Sequence, residues 1–294
     1  MPAHAAPAPD PAVPPGSTGW HGRLALHYQL DAQGSTTAHD RHHGPLRVLQ
    51  RLYPEGPAVC HHVLVHPPGG IVGGDRLEIS AELDAGTHAL ITTPGATRFY
   101  RSAGALAHQS AKVSVADGAR LEWLPLESIA YDGCLAHNQV QVQLAPGAQM
   151  IGWDVLALGL PAAAAPFQRG SFLQELELPG VWLERGRIDA ADRRLLESPL
   201  GLAGRPVLAT AWFGAGSALA PSLREALLEG TRDILAGHTL AALAGCTSPQ
   251  PQCVVLRVLA DQVEPALQLL GAVRACWRQV AWGMAAHPPR IWRT

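Results

Sequence analysis

Apolar and polar positions alternate in short runs from Trp20 to about Phe213, with Gly, Pro or Asp between the runs. Segments 58–65, 88–93, 112–115, 121–124, 139–144, 172–178 and 181–187 alternate or are rich in β-branched and aromatic residues, so the pattern predicts strands. No amphipathic helical period interrupts them, which argues against βαβ units. A weak echo runs through this region. Leu83-Asp84-Ala85-Gly86, Val115-Ala116-Asp117-Gly118 and Leu144-Ala145-Pro146-Gly147 each place a glycine-ended turn before a strand, the glycines standing 32 and then 29 residues apart (86 to 118, 118 to 147). A period near 30 fits stacked strand layers of a solenoid or β-helix, and it fits ordinary recurring hairpin turns equally well.

After about residue 221 the period changes. Ser222 and Glu225 have the spacing of a capping box and open a helix towards Leu235, with Gly237 as its stop. Asp261 and Glu264 repeat the spacing, with Pro265 in the first turn of a second helix that runs to about Met284. Val263, Leu267, Leu270, Val273, Trp277, Val280 and Met284 recur at three- and four-residue steps, giving one apolar face. Such a stripe packs on its own core or on a partner helix. The pattern as a whole predicts a mainly β, stacked-strand scaffold with two C-terminal α-helices. Its β core covers about 20–213 and its helical part about 221–284, within one domain over 19–294.

Composition adds limits. The first 18 residues are rich in Pro and Ala, with neither a basic nor an apolar stretch, which predicts a disordered tail and no secretory signal. No apolar run reaches the roughly 18 residues of a membrane span. Only 16% of the 294 residues are charged, which leaves much uncharged surface and points to work inside a complex. The formal net charge of −2 provides no electrostatic footprint for nucleic acid. Five scattered cysteines, Cys60, Cys134, Cys246, Cys253 and Cys276, suit a reducing cytoplasm better than a disulfide framework.

The densest chemistry lies in His66-Pro67-Pro68-Gly69-Gly70-Ile71-Val72-Gly73-Gly74-Asp75. No Lys-Ser/Thr follows the glycines and no helix pattern follows Asp75, so phosphate and dinucleotide cradles are excluded and a tight turn between strands remains. Cys60, His62 and His66 share strand parity, but a strand of that length spans roughly 20 Å, too far for one mononuclear metal site. His39, His42 and His43 fall in a polar, solvated loop. Neither a nucleophile elbow nor a closed zinc-ligand set occurs. Arg98, Tyr100 and Arg101 crowd into one short segment and form either an exposed edge or a protein-contact patch. Glu127 and Asp132 pair two carboxylates, and Asp154 sits in an apolar strand where a carboxylate must be paired, hydrated or functional.

"GPLRVLQRLYPEG", "HPPGGIVGGD", "TTPGATRFYRS", "LEWLPLESIAYDG", "GWDVLALG" and "PPRIWRT" occur in this order, and together they resemble the urease accessory protein UreD (UreH) family from about Gly19 to Thr294. The family's Gly-Arg and Gly-Glu pair after the Trp-Asp strand is replaced here by residues 158–167, so no role of that pair carries over. The resemblance implies a non-catalytic cytoplasmic chaperone, β-helical with C-terminal helices. It implies that the protein binds apo-urease and UreF, which recruits the nickel-carrying GTPase UreG, and that nickel passes in transit through an internal tunnel with no tightly bound cofactor. Asp75 and Asp154, with His66 and Glu127, are the candidates to line or shape that path. Arg98, Tyr100, Arg101 and Trp277 are the candidates for partner contact or tunnel support, and the helices for the UreF face. The alternative from another class is a β-helical carbohydrate-active hydrolase working through Glu127 and Asp132, which would need both carboxyls in one cleft.

Overall fold

A computed structural model of the chain describes residues 19–293, so the tail expected over 1–18 lies outside the described residues. In chain order the first strands are β1 (His21–Leu30), β2 (Thr36–His43), β3 (Arg47–Leu52), β4 (Val59–Val65), β5 (Arg76–Leu83) and β6 (His88–Thr92). There follow β7 (Thr97–Phe99), β8 (Ala107–Val115), β9 (Arg120–Leu124), β10 (Ser128–Ala130), β11 (Cys134–Leu144) and β12 (Gln149–Leu160). After a short return, β13 (Ala165–Pro166), come β14 (Gly170–Leu178), β15 (Trp182–Asp189), helix α1 (Arg193–Glu197) and β16 (Val207–Ala215). The C-terminal part holds α2 (Pro221–Ala236), β17 (Ala244–Gln250), β18 (Cys253–Ala260) and α3 (Val263–Trp282).

The chain winds as a solenoid. Each coil gives one strand to a first sheet and the next to a second, so β1, β5, β8, β11 and β14 pair in parallel in one sheet. In the other, β4, β6, β9 and β12 also pair in parallel. A short third face adds β7 and β10 alongside the end of β12. The echo in the sequence is the corner between the two sheets. Gly86, Gly118 and Gly147 have φ of 73°, 68° and 79°, values that favour glycine. They stack: a Cβ on Gly118 would lie 3.8 Å from the Gly86 nitrogen, and one on Gly147 only 2.0 Å from an Asp117 carboxylate oxygen. The ends of the first sheet are antiparallel additions, β2 on β1 and β15 on β14.

Two cores result. One lies between the sheets and includes Tyr28, Leu77, Phe99, Leu121, Met150 and Phe172. The other lies between the outer face of the second sheet and the helices, and includes Ile151, Trp153, Phe213, Leu227, Leu270 and Trp277. β12 therefore feeds both cores, which is why its sequence is an almost unbroken apolar run instead of an alternation.

The outer core contains an ionic knot. Glu122 on β9 is fully buried; it accepts from Arg274 Nε at 2.6 Å, Arg278 Nη1 at 2.8 Å and meets His88 Nε2 at 2.9 Å. Arg278 also binds Glu55, which meets His61 Nε2 at 2.8 Å. Burial raises the Glu122 carboxyl, but the His88 hydrogen bond and the two guanidinium charges hold it down at about 2. Two carboxylates thus face two guanidiniums in direct ion pairs, and α3 is fastened to the sheet by charge as well as by apolar contact.

Several expectations change in detail. Neither capping box forms: α2 begins after Ala220 with Pro221 in its first turn, and α3 begins after Gln262, while Asp261 binds Arg205. Gly283, at φ 63°, ends α3 two residues before the expected Met284. The buried face of α3 is rotated from the predicted stripe. Arg274 and Arg278 turn inward to Glu122, Ala266, Leu269 and Trp282 are buried, and Val280 is exposed. His39, His42 and His43 are exposed as expected, but on strand β2 and not in a loop. Helix α1 is too short to show a period.

Replacing Glu122 by Gln should leave two buried guanidiniums undercompensated and cost about 3 kcal/mol in urea unfolding. A loss under about 1 kcal/mol would show that the knot is not what fastens α3.

Candidate functional site

A cavity of about 260 Å³ opens between the two sheets, near the third face. Its wall takes His66 and Gly70 from the glycine-rich turn, residues 92–98 from the next coil, and Asn138 and Asp154 from the layers below. The turn is built by the coil above it and the coil beside it. Ile71 N–H donates to the Arg98 carbonyl at 2.7 Å, and Tyr100 N–H returns a bond to the Ile71 carbonyl at 2.9 Å. The Tyr100 ring covers Gly70 so closely that a Cβ there would lie 2.0 Å from it, so only glycine fits. Asp75 does not line the cavity. Its two oxygens accept from Trp20 N–H at 2.8 Å and Val72 N–H at 3.0 Å, which closes the turn onto the first strand.

Asp154 has the parity of Met150 and Leu156 on β12 and so faces the space between the sheets, while its neighbours Trp153 and Val155 face the helices. It is buried, with Asn138 Nδ2 donating to it at 3.3 Å, and burial pushes its carboxyl up to about 7. Burial lowers the His66 pKa, against a smaller opposite effect from Asp75, which favours the neutral imidazole with a lone pair free for a cation. The cavity thus offers one carboxyl and one imidazole in an otherwise weakly polar wall. Among the described residues no group of three or more His, Cys, Asp and Glu is placed to hold a metal ion.

The other predicted residues are dispersed. Arg98 is at the cavity wall, and Tyr100 packs on Tyr131 with ring centroids 4.9 Å apart. Arg101 is exposed, 4.0 Å from Asp132. Trp277 does not reach the surface: it is fully buried between the helices, donating to Thr231 Oγ1 at 2.8 Å. Glu127 lines a second, larger hollow of about 1250 Å³ on the outer face, between α3, the turn 159–163 and the C-terminal segment. Asp132 is not part of that hollow; it binds the Arg169 and Gln168 backbone amides at 2.8 and 2.9 Å and the Arg169 side chain. The two carboxylates required by a glycosidase do not share a cleft, which removes the basis of the hydrolase reading. Of the Cys60, His62 and His66 set, Cys60 enters the inner core, His62 Nδ1 meets the Tyr28 hydroxyl at 2.7 Å, and only His66 reaches the cavity. Sequence reasoning missed Glu122, Arg274 and Arg278, although a glutamate at 122 in "LEWL" and two arginines four apart on a helix were visible.

Residues 21–293 match the family described as UreD urease accessory protein. The chain belongs to the UreD family. It is 64% identical over 94% of its length to the urease accessory protein UreD of Leptothrix cholodnii, covering 99% of that protein. The UreD proteins of Variovorax paradoxus and Albidiferax ferrireducens are 58% and 59% identical, over 94% and 93% of the chain and 99% of each relative. The resemblance drawn from six short motifs therefore extends over nearly the whole chain. Among the described residues no helix is long and apolar enough to cross a membrane.

Because its folded pKa is raised, Asp154 contributes full stability only below the ordinary carboxylate value of 3.8, and that contribution is lost as pH rises towards about 7. Asp154→Asn should remove this loss, so that between pH 5 and pH 8 the variant gains roughly 3 kcal/mol relative to the parent. Parallel stability–pH curves for the two proteins would refute a buried, neutral Asp154.

Proposed function

We propose that this chain is a non-catalytic chaperone for nickel insertion into apo-urease, acting in the cytoplasm between urease and the UreF–UreG accessory proteins. The inter-sheet cavity is part of the path of the nickel ion, which is cargo and not a resident cofactor. One observation carries the reading: the cavity holds His66 and Asp154 as separate donors, without a third ligand to close a site. A carrier that must release its ion needs shallow binding; a full tetrahedral or octahedral donor set would retain it. Asp154, raised to about 7, adds a proton exchange, since a cation must displace its proton in order to bind. Glu127, in the outer hollow, is the next donor along the path, and Arg98 tempers the charge at the cavity wall. Asp75 shapes the path by closing the turn that carries His66.

The family membership supports the partner assignment, as does the large outer hollow beside α3, with Leu267, Gln268 and Pro265 at its rim. The helices are the face we assign to UreF, through α3 residues outside the ionic knot.

Urease activation in cells provides the test. Asp154→Ala and His66→Ala should each lower nickel-dependent urease activity, the first by tenfold or more, while the chain still co-purifies with UreF, UreG and apo-urease. Full activity with normal assembly would exclude the cavity as the path. Failure of the parent chain to co-purify with any of the three would refute the chaperone assignment itself.

A further inference from the structure

The second sheet has a break in it. The earlier coils turn a corner between their second and third strands, at 93–96 after β6 and at 125–127 after β9. β12 instead runs straight past that corner. Its ladder with β9 ends at Gly152 opposite Trp123, and its ladder with β10 begins at Leu156 opposite Ser128. Trp153, Asp154 and Val155 therefore have no strand neighbour on that side, although β16 pairs them without interruption on the other.

The break lies where the two hollows meet. Thr92, Pro125 and Asp154 line the cavity between the sheets; Leu126, Trp153 and Trp292 line the outer hollow. Side chains take the place of the missing rungs. Trp153 Nε1 donates to the Pro125 carbonyl at 2.7 Å, and Trp292 Nε1 donates to Thr92 Oγ1 at 2.8 Å. Thr92 Oγ1 in turn donates to the Leu124 carbonyl at 2.6 Å. The two indoles are in contact, with ring centroids 5.2 Å apart, and the Arg274 guanidinium lies 6.0 Å from the centre of the Trp292 ring. Two hydrogen bonds, from Trp153 to Pro125 and from Trp292 to Thr92, thus join residues of the outer wall to residues of the inner wall.

These two indoles are held differently. Trp153 is part of a central strand bonded along its other edge. Trp292 lies beyond the end of α3, in a single 3₁₀ turn, Arg290–Arg293, after Pro288 and Pro289, which have no N–H to offer a ladder. Moving Trp292 breaks one side-chain hydrogen bond, one ring contact and the approach of the Arg274 guanidinium, and leaves the sheet intact.

We propose that the break opposite Trp153–Val155 is the passage between the inner cavity and the outer hollow, and that Trp292 is the side chain that closes it. This rests on the reading of the cavity as the nickel path, and adds to it a gate. Asp154 stands at the inner edge of the break and Glu127 in the hollow beyond, so an ion crossing it passes between two carboxylates.

The test uses the full chain co-purified with its partners and loaded with Ni²⁺. A chromogenic chelator then withdraws the metal, and urease activation is followed in parallel. Trp292→Ala should speed withdrawal at least fivefold with the amount of nickel held unchanged. Trp292→Phe keeps the ring, loses only the hydrogen bond and should be intermediate; it also serves where the alanine variant fails to assemble. Withdrawal at the parental rate by both variants, with Asp154→Asn still lowering the nickel held, would overturn the gate and leave the path standing. Unchanged nickel content in Asp154→Asn would remove the path, and the gate with it.

Discussion

Glu122 is a fully buried carboxylate, and the helical layer is held in register by what that charge requires. A buried lone carboxylate is too costly to keep ionised, so the fold must bring cations to it, and the cations are on α3. Apolar contact alone is tolerant of a helix sliding or rotating on a flat sheet. Two guanidiniums four residues apart that must meet one glutamate, with a second glutamate and two histidines completing the set, allow one position only. The outer hollow, the course of the C-terminal segment and the placement of Trp292 all follow from where α3 is pinned. A shift by one helical turn would take Arg274 away from both Glu122 and the Trp292 ring.

Many strand positions were legible because an apolar strand carries its own local signal, whereas the polar β2 carries none and read as a loop. The predicted segments lie on observed strands to within a residue at their ends, and the glycine echo marked the corner of the solenoid, where a positive φ is needed once per coil. What the sequence could not convey was which residues of different coils become neighbours. Asp154 was visible as an anomaly in an apolar run, but its pairing with His66 across one cavity depends on the stacking of coils and has no sequence signature. The same holds for the knot. Arg274 and Arg278 lie outside the predicted apolar stripe, since a charged residue is ordinarily solvated, and both are buried because Glu122 lies beneath them. A related ambiguity covers Trp277: a tryptophan in an apolar stripe fits core or contact, and here Thr231 satisfies its indole inside the core, away from any surface contact.

The glycine-rich turn serves the site indirectly. Its glycines let the Tyr100 ring and the next coil press against the backbone, and Asp75 closes the turn onto the first strand. That compression carries His66 past the end of β4 and into the cavity wall. The cavity wall thus takes one residue of the motif, His66, and the rest from other coils, while the prolines and glycines supply geometry.

The antiparallel strands at the two ends of the first sheet have a further consequence. A stack of parallel coils has no intrinsic stopping point, since each last strand is a template for another. Here β2 and β15 reverse direction, and their outward edges carry His39, Asp40, Arg41, His42 and His43 at one end and Glu184, Arg185, Arg187 and Asp189 at the other. Charged, antiparallel termini make a poor seed for another copy. The stack is therefore closed at both ends of this sheet against growth end to end into fibres.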